Sequence, residues 1–119
     1  MAVNGMDELI AEARRLSDLL DKGVAALRQS AVDYAKAEHE YRKEHAIAYL
    51  QTEGTVAERE AKTYGMVGEL RLDRDIADGV RSAALEAVRA RRTQLSALQS
   101  LLAAHRSEAD LVRSGPTRD

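Results

Sequence analysis

Two clusters in this 119-residue chain hold residue types that bind metals or move protons. The first is His39-Glu40 with His45. The zinc-protease pattern needs two histidines four residues apart on one helical face, with glutamate directly after the first. His39 and His45 stand six apart, about 600° around a helix, so they point to different faces. The second cluster, Asp73, Asp75, Asp78 and Gly79, has the flavour of a calcium loop. Such a loop requires oxygen ligands at its first, third and fifth positions, glycine at the sixth and glutamate at the twelfth. Here Ala77 takes the fifth position, Gly79 the seventh and Ala84 the twelfth, and Arg74 offsets the acidic charge. The glycines of Gly65-Met66-Val67-Gly68 lack the lysine of a phosphate-binding P-loop. With no cysteine and three scattered histidines, no nucleophile–base pair is in prospect. The residues point away from an enzyme and call for no metal or cofactor.

The remaining candidate chemistry is phosphate binding. Between Gly79 and Arg106 the chain has five arginines, Arg81, Arg89, Arg91, Arg92 and Arg106, and one acid, Glu86, a local charge of +4. Residues 1–54 carry 7 basic and 10 acidic residues, so charge is polarised along the sequence. Arginine outnumbers lysine 14 to 4; a GC-rich genome accounts for such a bias, and guanidinium forks also suit phosphate. Gln94, Ser96 and Gln99 add hydrogen-bonding groups near the arginines. A stripe of this kind tracks a phosphate backbone with salt-dependent affinity. The competing reading pairs the same arginines with the acidic first half of the chain. There is neither helix-turn-helix spacing nor a zinc finger for base readout. The tyrosines, Tyr34, Tyr41, Tyr49 and Tyr64, all lie outside the basic segment, so an aromatic stacking platform for single strands is not in view there.

The elements that position these residues are helical. From Asp7 to about Gln51, Leu9, Ala13, Leu16, Leu20, Val24, Leu27, Ala31, Tyr34, Tyr41 and Ala48 recur at steps of three, four or seven, the mark of an apolar helical face. Leu20, Leu27, Tyr34, Tyr41 and Ala48 form an unbroken heptad series, as a helix–helix seam requires. Gly54 suits a helix-ending residue with positive φ, and Thr55 with Glu58 matches a capping box that opens the next helix. Tyr49 and Tyr64 flank this turn, where they could stack on each other or on a partner. The second half is helical from Val56 to about Val112, with a possible break near residues 65–79. Its seam is Ala84, Val88, Leu95, Leu98, Leu102, Ala109 and Val112, with Arg91 and His105 in the same register. Polar residues in a seam fix register or oligomeric state, and by this reading Arg91 serves pairing while Arg89 and Arg92 flank it and meet phosphate. Residues 113–119, with Gly115 and Pro116 and no apolar anchor, read as a flexible tail.

The expected fold class is therefore all-α: a long antiparallel helical hairpin or coiled coil forming one domain over residues 1–112. The hydrophobic share of 45 % is rich in alanine, and phenylalanine and tryptophan are absent. Alanine buries little area, so one copy builds only a thin core, and self-association into a homo-oligomer is expected. No apolar run reaches membrane-spanning length, and the first residues lack a signal-peptide core. The expected location is the cytoplasm.

The segment YAKAEHEYRKEHAIAYLQTEGTVAEREAK, followed by a helix ending in RRTQLSALQSLLAAHRSEA, resembles a group of short helical bacteriophage proteins similar to phage recombination mediators. In that group a tyrosine-arginine-alanine helix precedes a glycine turn and an E-R-x-A start, and a basic helix rich in glutamine, serine and leucine closes the chain. The resemblance covers roughly residues 30–109. It implies a small oligomer that binds single-stranded DNA and helps load a recombinase. On it, Arg89, Arg91 and Arg92 belong to the DNA-contacting helix, with Arg81 and Arg106 beside them and Arg59 as a further candidate. The alternatives are a structural coiled-coil scaffold or assembly chaperone whose charges serve pairing alone, and the small secreted helical hairpins of actinobacteria. The second of these carries a Trp-x-Gly turn that a chain without tryptophan cannot supply.

Overall fold

The computed structural model describes residues 5–115, and they form three α-helices: α1 (Met6–Gln51), α2 (Val56–Met66) and α3 (Gly68–Ser114). The fold is an all-α long helical hairpin. Helix α1 starts with Asp7 and Glu8 in its first turn, where carboxylates complement the helix dipole. Nothing in its 46 residues removes a backbone donor, because the chain's single proline is Pro116. Of the tail read from the sequence, Arg113 and Ser114 belong to α3, Gly115 follows it with a φ of 59°, and residues 116–119 lie outside the described residues.

The turn after α1 is built as its residue types dictate. Gly54 adopts φ 121°, a backbone region that a Cβ disfavours, and an added Cβ would stand 2.7 Å from Glu58 Oε2. Thr55 caps α2, its side-chain oxygen accepting the Glu58 backbone N–H at 3.2 Å, which satisfies one of the orphan donors of a helix start. Helix α2 ends at Val67, with φ −105° and ψ 20°. The break is a single residue wide. The Val67 N–H still bonds the Thr63 carbonyl at 3.1 Å, and the Val67 carbonyl accepts from Arg71 N at 2.9 Å, so α3 resumes at once. Two glycines, Gly65 and Gly68, bracket the joint.

Packing gathers in two compact units. One comprises α1 up to Val24 together with α3 from Ala87; the other spans Ala25–Glu86. In the first unit the buried residues are Leu9, Leu16, Val88 and Leu102. Gly23 faces Val88, whose Cγ2 lies 3.4 Å from where a Gly23 Cβ would be. Antiparallel pairing from that contact sets Leu9 opposite Leu102. In the second unit the buried apolar residues are only Ala48 and Val67, joined by Ser30 and Thr63.

Three seam positions read from the sequence lie elsewhere. Ala31 is exposed, and Ser30 is buried in its place; its hydroxyl donates to the Leu27 carbonyl at 2.8 Å, so the polar group enters the seam already satisfied. Ala109 and Val112 are also exposed. With Gly23 opposite Val88, the start of α1 reaches only to about residue 105 of α3, and the last turns of α3 have no described residue of α1 beside them. His105 and Arg91 remain half-buried, in line with their seam register.

Val88, 1 % exposed, should lose about 2 kcal/mol of stability on Val88→Ala, whereas Val112→Ala, at an exposed site, should stay within about 0.5 kcal/mol. Gly54→Ala should cost about 1–3 kcal/mol through its backbone conformation. Thermal unfolding of the three variants checks this order, and equal effects of Val88→Ala and Val112→Ala would refute the assignment of the seam.

Candidate nucleic-acid interface

In the second unit, each of the four tyrosines lies under an arginine. The guanidinium carbons of Arg81, Arg74, Arg59 and Arg71 stand 4.9, 4.4, 4.1 and 3.4 Å from the ring centres of Tyr34, Tyr41, Tyr49 and Tyr64 respectively. A guanidinium over an aromatic face is held by the ring quadrupole, with about 0.5–2 kcal/mol for each pair. Tyr34 and Tyr41 are one heptad apart on α1, and Arg81 and Arg74 are one heptad apart on α3 in reverse order, as antiparallel packing requires. Tyr49 and Tyr64 do not stack on each other; each is taken by its own arginine.

Each of these arginines also holds an oxygen. Arg59 Nη2 donates to the Tyr49 carbonyl at 2.8 Å, and Arg71 Nη1 to the Tyr64 carbonyl at 2.9 Å. Arg81 Nη2 bonds Asp78 at 2.6 Å. Arg74 bonds Asp75 at 2.9 Å and lies 3.7 Å from Glu38 on α1. Its hydrogen bond to Asp75, and then the negative charges of Asp75 and Glu38, raise the Arg74 pKa above the ordinary arginine value. His45 packs against the same Tyr41 ring, with centroids 5.9 Å apart. These residues are occupied structurally, and among the described residues no group of three or more potential metal ligands converges.

The sequence-predicted phosphate-binding residues therefore fall into separate classes. Arg81 is half-buried, bound to Asp78 and Tyr34, with its Nε buried and without a hydrogen-bond partner. It belongs to the packing of the second unit and not to a free edge. The weaker candidate, Arg59, is likewise committed to Tyr49. Arg91 is half-buried and reaches Gln94 Oε1 at 3.5 Å. Arg89 is exposed and engaged in an interaction of its own. Arg92 and Arg106 are exposed and, among the described residues, have no ion-pair partner. Arg92 borders a shallow surface groove with Thr93, Ser96 and Ser100. On a helix of 3.6 residues per turn, Arg92, Ser96, Gln99 and Arg106 share one flank, with Arg92 and Arg106 about 21 Å apart.

Sequence reasoning missed Arg14. It is exposed on α1 in the same unit as Arg92 and Arg106 and, among the described residues, also lacks an ion-pair partner. The acidic bias of residues 1–54 hid it. It missed the arginine–tyrosine pairs as well, although one signal was present: Tyr34 and Tyr41 mirror Arg81 and Arg74 across the turn.

No family model, curated protein or solved structure matches this chain. Among the described residues no helix is long and apolar enough to cross a membrane.

Arg59→Lys should lower the unfolding midpoint by several degrees. Lysine keeps the charge but loses the planar fork that covers the Tyr49 ring and bonds its carbonyl together. Calorimetry of Arg59→Lys beside Arg92→Lys separates the classes: the second should leave the midpoint in place, and equal shifts would refute the division.

Proposed function

We propose that this protein is a self-associating helical hairpin that binds single-stranded DNA along the outer flank of α3 and assists the loading of a recombinase. The observation that carries the reading is the flank itself. Arg92 and Arg106 are the exposed cations of the basic segment that have no ion-pair partner among the described residues, and hydroxyl and amide groups of Ser96 and Gln99 lie between them. Such a surface suits phosphate oxygens without reading bases. Tyr34, Tyr41 and Tyr49 are half-buried under arginine, and the exposed Tyr64 has one ring face covered by Arg71, so base stacking is not the basis of the proposed grip. The grip is thus electrostatic and indifferent to sequence. Two guanidiniums per chain give little affinity alone, so several copies must act together on one strand, which is where self-association enters. Loading of a recombinase rests on the resemblance to phage recombination mediators. The cytoplasm, that of the host for a phage protein, is the compartment where such a substrate is met.

A structural scaffold without nucleic acid is the second reading. It is favoured by the large apolar side chains left exposed, among them Ile76, Val80, Leu101 and Leu111.

Fluorescence anisotropy with a labelled oligonucleotide at low and moderate salt decides between them. Binding should weaken steeply with salt, and Arg92→Ala with Arg106→Ala should lower the log–log salt slope by about 1.4, at about 0.7 for each lost single-strand contact. Arg74→Ala should leave the slope unchanged. Absence of binding at low salt, or an unchanged slope in the double variant, would overturn the DNA reading in favour of the scaffold.

A further inference from the structure

The two compact units differ in what holds each of them closed. Among the described residues, the first buries Leu9, Leu16, Val88 and Leu102 and no polar side chain. The second, Ala25–Glu86, buries the smaller Ala48 and Val67 together with the polar Ser30 and Thr63. Apolar stabilisation scales with the area taken out of water, so the second unit gains much less from its core. Its larger apolar side chains lie outside the packing: Val56, Met66, Ile76 and Val80 are exposed, and Leu50 is 79 % accessible.

Polar satisfaction divides in the same way. Among the described residues, the buried side-chain atoms without a hydrogen-bond partner are Arg59 Nε, Thr63 Oγ1 and Arg81 Nε. All three belong to the second unit. A buried donor or acceptor left unpaired keeps the full cost of losing its water. Thr63 is the plainest case, 0 % exposed with nothing bonded to its hydroxyl. The ion pair that crosses from α3 to α1 in this unit, Arg74 with Glu38 at 3.7 Å, is partly open to solvent and offsets little.

Helices released from their neighbours are marginal in water. Segments of α1, α2 and α3 that lose contact within the second unit therefore lose amide hydrogen bonds as well, and weakly packed stretches open at a lower cost than the whole chain. We infer that Ala25–Glu86 is a separately opening unit, a conformational device that frees the guanidiniums of Arg59, Arg74 and Arg81 and the rings of Tyr34, Tyr41 and Tyr49 together while the first unit stays folded. The packing that closes these groups is thus the part of the chain that yields first. This inference does not depend on the binding of DNA.

Native-state hydrogen exchange of the full chain in rising low concentrations of denaturant, read residue by residue, tests it. The slowest amides of residues 25–86 should converge on one shared isotherm, with protection about tenfold or more below that of residues 9–20 and 88–102. Thr63→Val replaces the unpaired hydroxyl by a methyl group of the same shape. It should slow exchange severalfold across the second unit and leave the first unit where it was. One isotherm common to both units would overturn the inference, since the chain would then open only as a whole. Protection that falls smoothly toward Gly54 with no shared isotherm would overturn it in favour of simple fraying. An equal gain in both units on Thr63→Val would do the same in favour of a single cooperative structure.

Discussion

The guanidinium lying on a tyrosine face is the contact on which the second unit depends. That unit buries only Ala48 and Val67 among its apolar residues, far too little for helices of this length to hold together by hydrophobic transfer alone. Three arginine–tyrosine pairs, on Tyr34, Tyr41 and Tyr49, take the place that leucine and valine fill in the first unit, and the fourth, on Tyr64, lies at the surface. Arginine suits the position because its alkyl stem packs against the neighbouring helix while the planar head covers the ring and still reaches an oxygen. The pairs also fix register. Tyr34 and Tyr41 accept Arg81 and Arg74 only when α1 and α3 run antiparallel with one alignment. Tyr49 with Arg59, and Tyr64 with Arg71, tie α2 to α1 and to the start of α3.

This division of labour decides what the arginines can do for function. A cation bound to a ring and to a carboxylate or carbonyl oxygen must give up both before it can take a phosphate. Arg59, Arg71, Arg74 and Arg81 are therefore committed to the packing of the second unit, and Arg91 is half-buried in seam register. Arg92 and Arg106 on α3, and Arg14 and Arg28 on α1, are exposed and have no ion-pair partner among the described residues. Under the proposed function, affinity would have to come from repetition of the chain and not from a deep site.

Much of the fold was legible in the sequence because it depends on local rules. The heptad spacing of Leu9, Leu16, Val88 and Leu102, the positive φ of Gly54 and the cap at Thr55 each follow from residue type and spacing. Ala31 was misplaced because steps of three and four both continue the pattern there, and only the satisfied hydroxyl of Ser30 shows which step is taken. Ala109 and Val112 keep the seam period but outrun their partner helix, a matter of alignment between helices that periodicity within one helix does not contain. The candidate site was less legible for the same reason. Arg81 and Arg92 look alike in sequence and differ only in what lies across from them, which for Arg81 is Tyr34, nearly fifty residues away.

The claim that structural and free arginines are distinct groups is tested most directly by their reactivity. Phenylglyoxal labelling of the native protein, mapped by mass spectrometry over time, follows each guanidinium separately. Arg14, Arg92 and Arg106 should be labelled first, with Arg59, Arg71, Arg74 and Arg81 protected until the protein unfolds. Labelling of all these arginines at one common rate in the folded protein would contradict the account.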